Sequence, residues 1–168
     1  MAEITNEYLL QKITNQFGSD ILSHEETYGL VSITINKEKN LEFLTWLYND
    51  SELNFQFLTD VCGIHFPDKK DHEIGAIYHL HSLINNVRLR VKCFMPIDNP
   101  TIQSVSSLYS SANWQERETF DFYGIIFEGH PNLKRIINVE EMDYFPMRKE
   151  YPLEDGTRTD KDDKYFGR

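Results

Sequence analysis

Residues 73–95, EIGAIYHLHSLINNVRLRVKCFM, hold two runs of alternating apolar and polar side chains on either side of a short polar break. A period of two is the period of a strand, so the two runs can hide one face each only by lying side by side. Asn85-Asn86 tolerates the positive φ of a tight turn and predicts an antiparallel hairpin centred on that pair. Ile84 then lies opposite Val87, and Leu80 opposite Val91. One face collects Ala76, Tyr78, Leu80, Ile84, Val87, Leu89, Val91, Cys93 and Met95, which is a core surface. The other pairs His79 with Lys92 and His81 with Arg90, with Arg88 beside them. That basic stripe stands out on a chain whose 17 Lys plus Arg face 27 Asp plus Glu, a formal net charge of −10.

The remaining segments supply what such a hairpin packs against. Tyr8, Leu9, Ile13 and Phe17 recur at helical spacing over residues 5–17, and Gly18 stops them. The alternation around Val31, Ile33 and Ile35 predicts a strand over 27–35, where β-branched residues are favoured. Leu41, Leu44, Leu47 and Tyr48 predict a second amphipathic helix ending near Asp50. Residues 53–66 return to strand character before Pro67 and a charged loop at 67–72. Ile102, Val105, Leu108 and Tyr109 have helical spacing, and a further helix is expected from Asn113 to Tyr123. Beyond Phe127 the periodicity ends. A chain of 168 residues has the size of one domain. The expectation is an α+β fold: a mixed β-sheet with helices packed on one face, followed by a helical segment and an extended C-terminal arm. Residues 1–137 would form the domain. Residues 138–168, which carry Tyr144, Phe145, Tyr151, Tyr165 and Phe166 without any period, would be an arm that wraps a partner.

The composition removes several function classes. An acidic chain repels a phosphate backbone, so nucleic acid is not an expected partner. Cys62 and Cys93 are far apart, and two isolated thiols cannot supply a four-ligand Fe–S cluster or a closed structural zinc site. Neither GxGxxG, a P-loop, HExxH nor GxSxG occurs. The N-terminus lacks a basic region followed by an apolar run, and no stretch approaches the ~18 apolar residues of a membrane span, so membrane contact is expected only through partners. His79 and His81 share a strand face and could begin a metal site, but the cations expected opposite them oppose it, and no metal ligand is assigned. Cys62, in a strand, is more often a small core residue than a nucleophile.

The densest charge near aromatics is Glu116-Arg117-Glu118 with Asp121. Two acids separated by one residue point about 200° apart around a helix and cannot flank one scissile bond. The expected role is a packed charged joint, with Arg117, Lys134 and Arg135 as candidate partners of the acids. No catalytic residue is assigned. A free-standing hydrolase using Glu116, Glu118 or Asp121 is the rival from another class.

The stretch containing that cluster, NWQERETFDFYGIIFEGHPNLKRII at residues 113–137, resembles the signature of the C (30-kDa) subunit of respiratory complex I, the proton-translocating NADH:quinone oxidoreductase. Glu116, Arg117, Glu118, Asp121, Gly124, Gly129, His130, Pro131, Lys134 and Arg135 fall at family spacing. So do Arg148, Lys149, Tyr151 and Pro152 downstream. The departure is at 144–147, where Tyr-Phe-Pro-Met stands in place of a frequent Gly-His-Pro-Leu. The resemblance implies a non-catalytic assembly subunit of the hydrophilic arm, bound to the D (49-kDa) subunit, without a cofactor of its own. FMN and Fe–S clusters would sit in partner subunits, and the chain would lie peripherally on the cytoplasmic side of the plasma (inner) membrane. The equivalent subunit of a membrane-bound hydrogenase or of a chloroplast-type NADH dehydrogenase-like complex is the alternative within the family.

Overall fold

A computed structural model describes residues 4–151. The hairpin is present as β4 (Ile74–Ser82) and β5 (Val87–Met95), but its register differs by two residues from the expected one. Leu80 lies opposite Leu89, Tyr78 opposite Val91, His79 opposite Arg90 and His81 opposite Arg88. Ile84 belongs to a four-residue turn and is exposed. A type I′ two-residue turn needs positive φ at both central positions and a type II′ turn needs it at the first, but of the Asn pair only the second, Asn86, adopts it, at 52°. Asn85 instead turns its amide inward, donating to the carbonyls of Glu52 and Leu53 and to Ser82 Oγ. A shift of two keeps the paired strand residues on their expected faces, but Ile84 leaves the core face with the turn and Val87 is only half-buried. The rest of the core face is intact: Ala76, Tyr78, Leu80, Leu89, Val91, Cys93 and Met95 are all buried.

The two-residue turn with both φ values positive occurs elsewhere, at Tyr28 (52°) and Gly29 (76°). It joins β1 (Ile21–Thr27) to β2 (Leu30–Ile35), so the strand expected over 27–35 begins at Leu30 and is preceded by a strand the sequence pattern did not reveal. β2 runs parallel to β5, and β3 (Phe57–His65) runs antiparallel to β4. The result is a mixed five-stranded sheet ordered β1-β2-β5-β4-β3. One face is covered by α1 (Asn6–Phe17) and α2 (Asn40–Asn49), which bury Leu9, Ile13, Phe17, Phe43, Leu44 and Leu47 in one core with the sheet. On the opposite face Ile77, His79, Arg90, Lys92 and Phe94 are only half-buried.

Ile102 does not open a helix. It lies in β6 (Thr101–Gln103), which pairs in parallel with β7 (Ile126–Glu128), and only a single turn follows, closed by Leu108 and Tyr109 N–H to the Val105 carbonyl. Val105 and Tyr109 are buried, so helical spacing there records two anchors one turn apart. The last helix among the described residues, α3 (Ala112–Tyr123), lies along β3. Ser111, Gln115 and Thr119, each one helical turn beyond the last, donate to the carbonyls of Leu58, Thr59 and Val61. These donors close the edge of the sheet that β3 would otherwise leave open. Residues 138–151 are outside any helix or strand, and Pro152 and the rest of the expected arm lie outside the described residues.

Candidate functional site

α3 carries the charged cluster and divides it among three environments. Glu116 is fully buried. Its Oε1 accepts the Val105 N–H at 2.7 Å and its Oε2 accepts Ser104 Oγ at 2.6 Å, which fixes the turn between β6 and α3. No cation pairs with it among the described residues. Burial pushes its carboxyl up to about 7, against the opposing pull of those two hydrogen bonds.

Asp121 is equally buried but has the opposite electrostatics. Burial alone would raise it, yet five hydrogen bonds outweigh that and hold it well below the usual carboxylate range. Oδ1 accepts from Arg135 Nη1 at 2.7 Å and from Asn138 Nδ2 at 3.1 Å. Oδ2 accepts three successive backbone N–H groups, those of Ile136, Ile137 and Asn138, at 2.8–3.0 Å. Successive N–H groups converging on one oxygen form an anion cradle, and here an internal carboxylate fills it. Arg135 also donates to the carbonyls of Met142 and Tyr144, so one buried ion pair gathers residues 135–144 against the end of α3.

The expected joint is corrected at Glu118. It is exposed and has no ion-pair partner among the described residues, because positions 114 and 118 face outward on a helix whose positions 112, 116 and 119 face inward. Arg117 pairs with neither glutamate. It donates to the carbonyls of Lys134 and Arg135 and lies 5.2 Å from the Trp114 ring. The Lys134 side chain is exposed.

The other signature residues shape the chain around this joint. Gly124 ends α3 at φ 75°, and a Cβ there would stand 2.5 Å from the Phe145 ring. Gly129 turns the chain at φ 82° after β7. His130 joins it back to α3, with Nε2 at 3.0 Å from the Asn113 carbonyl and Nδ1 accepting the Asn132 N–H, partners that assign the proton to Nε2. Pro131 is exposed. Arg148 Nε donates to the Tyr123 carbonyl, and Tyr151 packs its ring 4.9 Å from that of Tyr144. Lys149 contributes its backbone N–H to His65 Nδ1 at 2.9 Å while its side chain is exposed. Phe145, at the departure from the family pattern, sits over Gly124 with the guanidinium groups of Arg135 and Arg148 at 5.1 and 4.7 Å from its ring.

Sequence reasoning missed His65, Ser104 and the Ser111/Gln115/Thr119 stripe. His65 is 4% exposed at the end of β3, where it shares the inward face with Val61 and Gly63. A histidine continuing a buried alternation was the available signal. The three donors at i, i+4 and i+8 were equally legible as a polar helix face, but not as an edge cover.

The charges of α3 are turned into internal joints or outward, and among the described residues they do not meet at one point. Residues 33–157 match the family described as respiratory-chain NADH dehydrogenase, 30 Kd subunit, and the chain belongs to that family. It is 39% identical over 145 residues to the C 2 subunit of NADH-quinone oxidoreductase from Rhizobium meliloti (strain 1021), covering 86% of this chain and 78% of that one. It is 38% identical over 152 residues to the C subunit of the same enzyme from Rhizobium rhizogenes (strain K84 / ATCC BAA-868), covering 90% and 74%. Among solved structures, a trypsin-resistant fragment of Nqo5 superposes with a TM-score of 0.65 at 28% identity, over 76% of this chain and 98% of the fragment. A chain of an archaeal membrane-bound sulfane sulfur reductase shares the fold, with a TM-score of 0.73 at 22% identity, over 88% of this chain and 85% of that one. The chain is thus a subunit of an NADH-quinone oxidoreductase complex. Among the described residues no helix is long and apolar enough to cross a membrane.

Proposed function

We propose that the chain is a non-catalytic assembly subunit of the hydrophilic arm, held against the D (49-kDa) subunit on the cytoplasmic side of the membrane. In this role it supports electron passage from NADH through FMN and Fe–S centres that other chains carry. The observation that carries this reading is the closure of the signature charges: Glu116 and Asp121 have their oxygens occupied by groups of this chain, and Glu118 stands apart from both. A proton-transfer or hydrolytic role would need such groups to reach one reacting atom. Among the side chains left outward, beside Glu118 and Lys134, are three large apolar ones: Trp114, Ile137 and Val139 are each about 60% exposed or more. Side chains of that kind gain by burial against another chain.

The C-terminal arm is proposed to extend that contact. Arg148 ties it to α3 and Lys149 ties it to β3, and the sequence beyond supplies Tyr165 and Phe166 as further aromatic side chains for the contact. Ending the chain at Tyr151 tests this. The expected result is unchanged thermal unfolding of the isolated chain together with loss of copurification with the 49-kDa subunit after mild detergent extraction. Full recovery of that subunit by the shortened chain refutes the arm. The non-catalytic role is tested separately with Glu118→Gln: NADH:quinone turnover per bound FMN should stay near normal, and a fall on the order of a hundredfold in fully assembled complex would assign chemistry to the carboxylate.

A further inference from the structure

The open face of the sheet brings together three donors that no sequence spacing joins. Asp60 and Cys62 are two residues apart on β3, and His79 lies directly opposite Asp60 on β4. One ligand atom from each lies within 4.8 Å of the others, with Asp60 Oδ2 at 3.7 Å from His79 Nδ1. All three side chains are half-buried. A tetrahedral ion with bonds of 2.0–2.3 Å needs its ligands about 3.3–3.8 Å apart, so small side-chain rotations would close the set.

We propose that Asp60, Cys62 and His79 form a binding site for a divalent ion of the zinc class, with carboxylate, thiolate and imidazole as three ligands and water in the fourth position. The ligand count that argues against a closed four-ligand site does not bear on an open one, where three protein ligands suffice. The mixed S, N and O donors suit zinc over magnesium or calcium. The local field has both signs. Asp60 and Glu118 place negative charge near Cys62 and Arg90 opposes them; together with burial, first in size, the balance puts the thiol at about 11. Burial foremost, then Arg90, lowers His79 against the opposing pull of Asp60.

Arg90 is the competitor. Its Nε donates to His79 Nε2 at 2.9 Å, which places the imidazole proton on Nδ1, facing Asp60. Binding at Nδ1 moves that proton to Nε2, breaks the Arg90 hydrogen bond and releases the Cys62 thiol proton to solvent. One proton is released per ion, and nothing is oxidised or reduced.

The test is titration of the full-length chain with Co²⁺ alone under reducing conditions, followed by displacement with Zn²⁺. One equivalent should bind and give a thiolate-to-cobalt charge-transfer band. Cys62→Ser should abolish the band and weaken Zn²⁺ at least about tenfold, and Asp60→Asn should weaken it similarly. Cys93→Ala should keep the band, because Cys93 lies in the core. Arg90→Met should tighten binding several-fold with the charge-transfer band retained, which ties the ion to the Cys62 sulfur. Far-UV circular dichroism of each variant verifies the fold, and Arg90→Met supplies a gain that unfolding cannot imitate. No band with the unmodified chain at millimolar Co²⁺, or a band that survives Cys62→Ser, overturns the proposal. Neither outcome touches the assembly role, which rests on other residues.

Discussion

Replacing Glu116 with glutamine should make the protein more stable at pH 8 and less stable by about 1 kcal/mol at pH 4.5. The carboxyl is fully buried and rises from an ordinary 4.5 to about 7 in the folded chain. Between those values the folded state holds a proton that the unfolded state has released. The stabilisation from this group is therefore complete below pH 4.5 and is lost as pH rises to 7. Its size follows from the linkage of proton binding to folding, about 3 kcal/mol, a large part of the ~5–15 kcal/mol that holds a domain together. Glutamine preserves the local geometry: its oxygen still accepts the Val105 N–H, and its amide can donate to Ser104 Oγ, which passes its own hydrogen to Ser106 Oγ at 2.8 Å. The amide has a second N–H that burial leaves unpaired, a cost on the order of 1 kcal/mol that does not vary with pH. The measurement is urea unfolding of both proteins from pH 4.5 to 8, read as the difference between them so that other titrating groups cancel. The difference should rise toward the variant across pH 5–7 and level off above. A flat difference refutes the buried, unpaired carboxyl.

The neighbouring groups give sharper contrasts. Asp121→Asn leaves Arg135 buried without its counter-charge and should cost about 3–5 kcal/mol, with new protease cleavage within residues 136–151; a urea midpoint equal to the parent's would refute the joint. Gly124→Ala forces a side chain into left-handed backbone, about 1–2 kcal/mol, and into the Phe145 ring as well, so its loss should exceed that of an alanine placed at Gly129, where no atom lies within 4 Å of the added Cβ. Equal losses would remove the role given to Phe145. His65 titrates in the opposite sense to Glu116: burial foremost lowers its folded value below 6.5, so its contribution is complete above that pH and lost as pH falls. Protonation ends acceptance of the Lys149 N–H, and acid should expose residues 145–151 to protease in the parent but produce no further change in His65→Ala, where they are already loose.

The parts of the fold that were legible in sequence are those in which one face is buried and the period is kept over several residues. β4 and β5 alternate over nine residues each, and α1 has apolar positions one turn apart, so both declared themselves. β1 did not, because six of its seven residues are exposed at the sheet edge and no burial enforces alternation there. The hairpin register failed for a different reason. Asn-Asn permits a two-residue turn but does not require it, and contacts from Asn85 to Glu52 and Leu53, more than thirty residues away, decided against it. β6 was hidden because a three-residue strand is too short for a period to show, and its partner β7 is distant in sequence.

The candidate site tests how far local spacing can stand in for partners. Helical geometry put Glu116 and Glu118 on different sides of α3, as the structure has them, because angles around a helix follow from sequence alone. It could not tell which acid would be ionised. Glu116 and Asp121 are five residues apart on one helix and equally buried, yet one is pushed up to about 7 and the other held low. The difference comes from what faces them: two donors from the turn at 104–105 for Glu116, and a guanidinium with four further donors from 135–138 for Asp121. Composition near the cluster pointed to cations for both. Ion pairing was therefore the right expectation for the acid whose partner segment is folded back onto the helix end, and the wrong one for the acid turned toward a hydroxyl and a backbone N–H. A charged motif of this kind fixes which side chains go inside. Their protonation is set by the loops that close over them, and only the folded chain brings those loops to the helix.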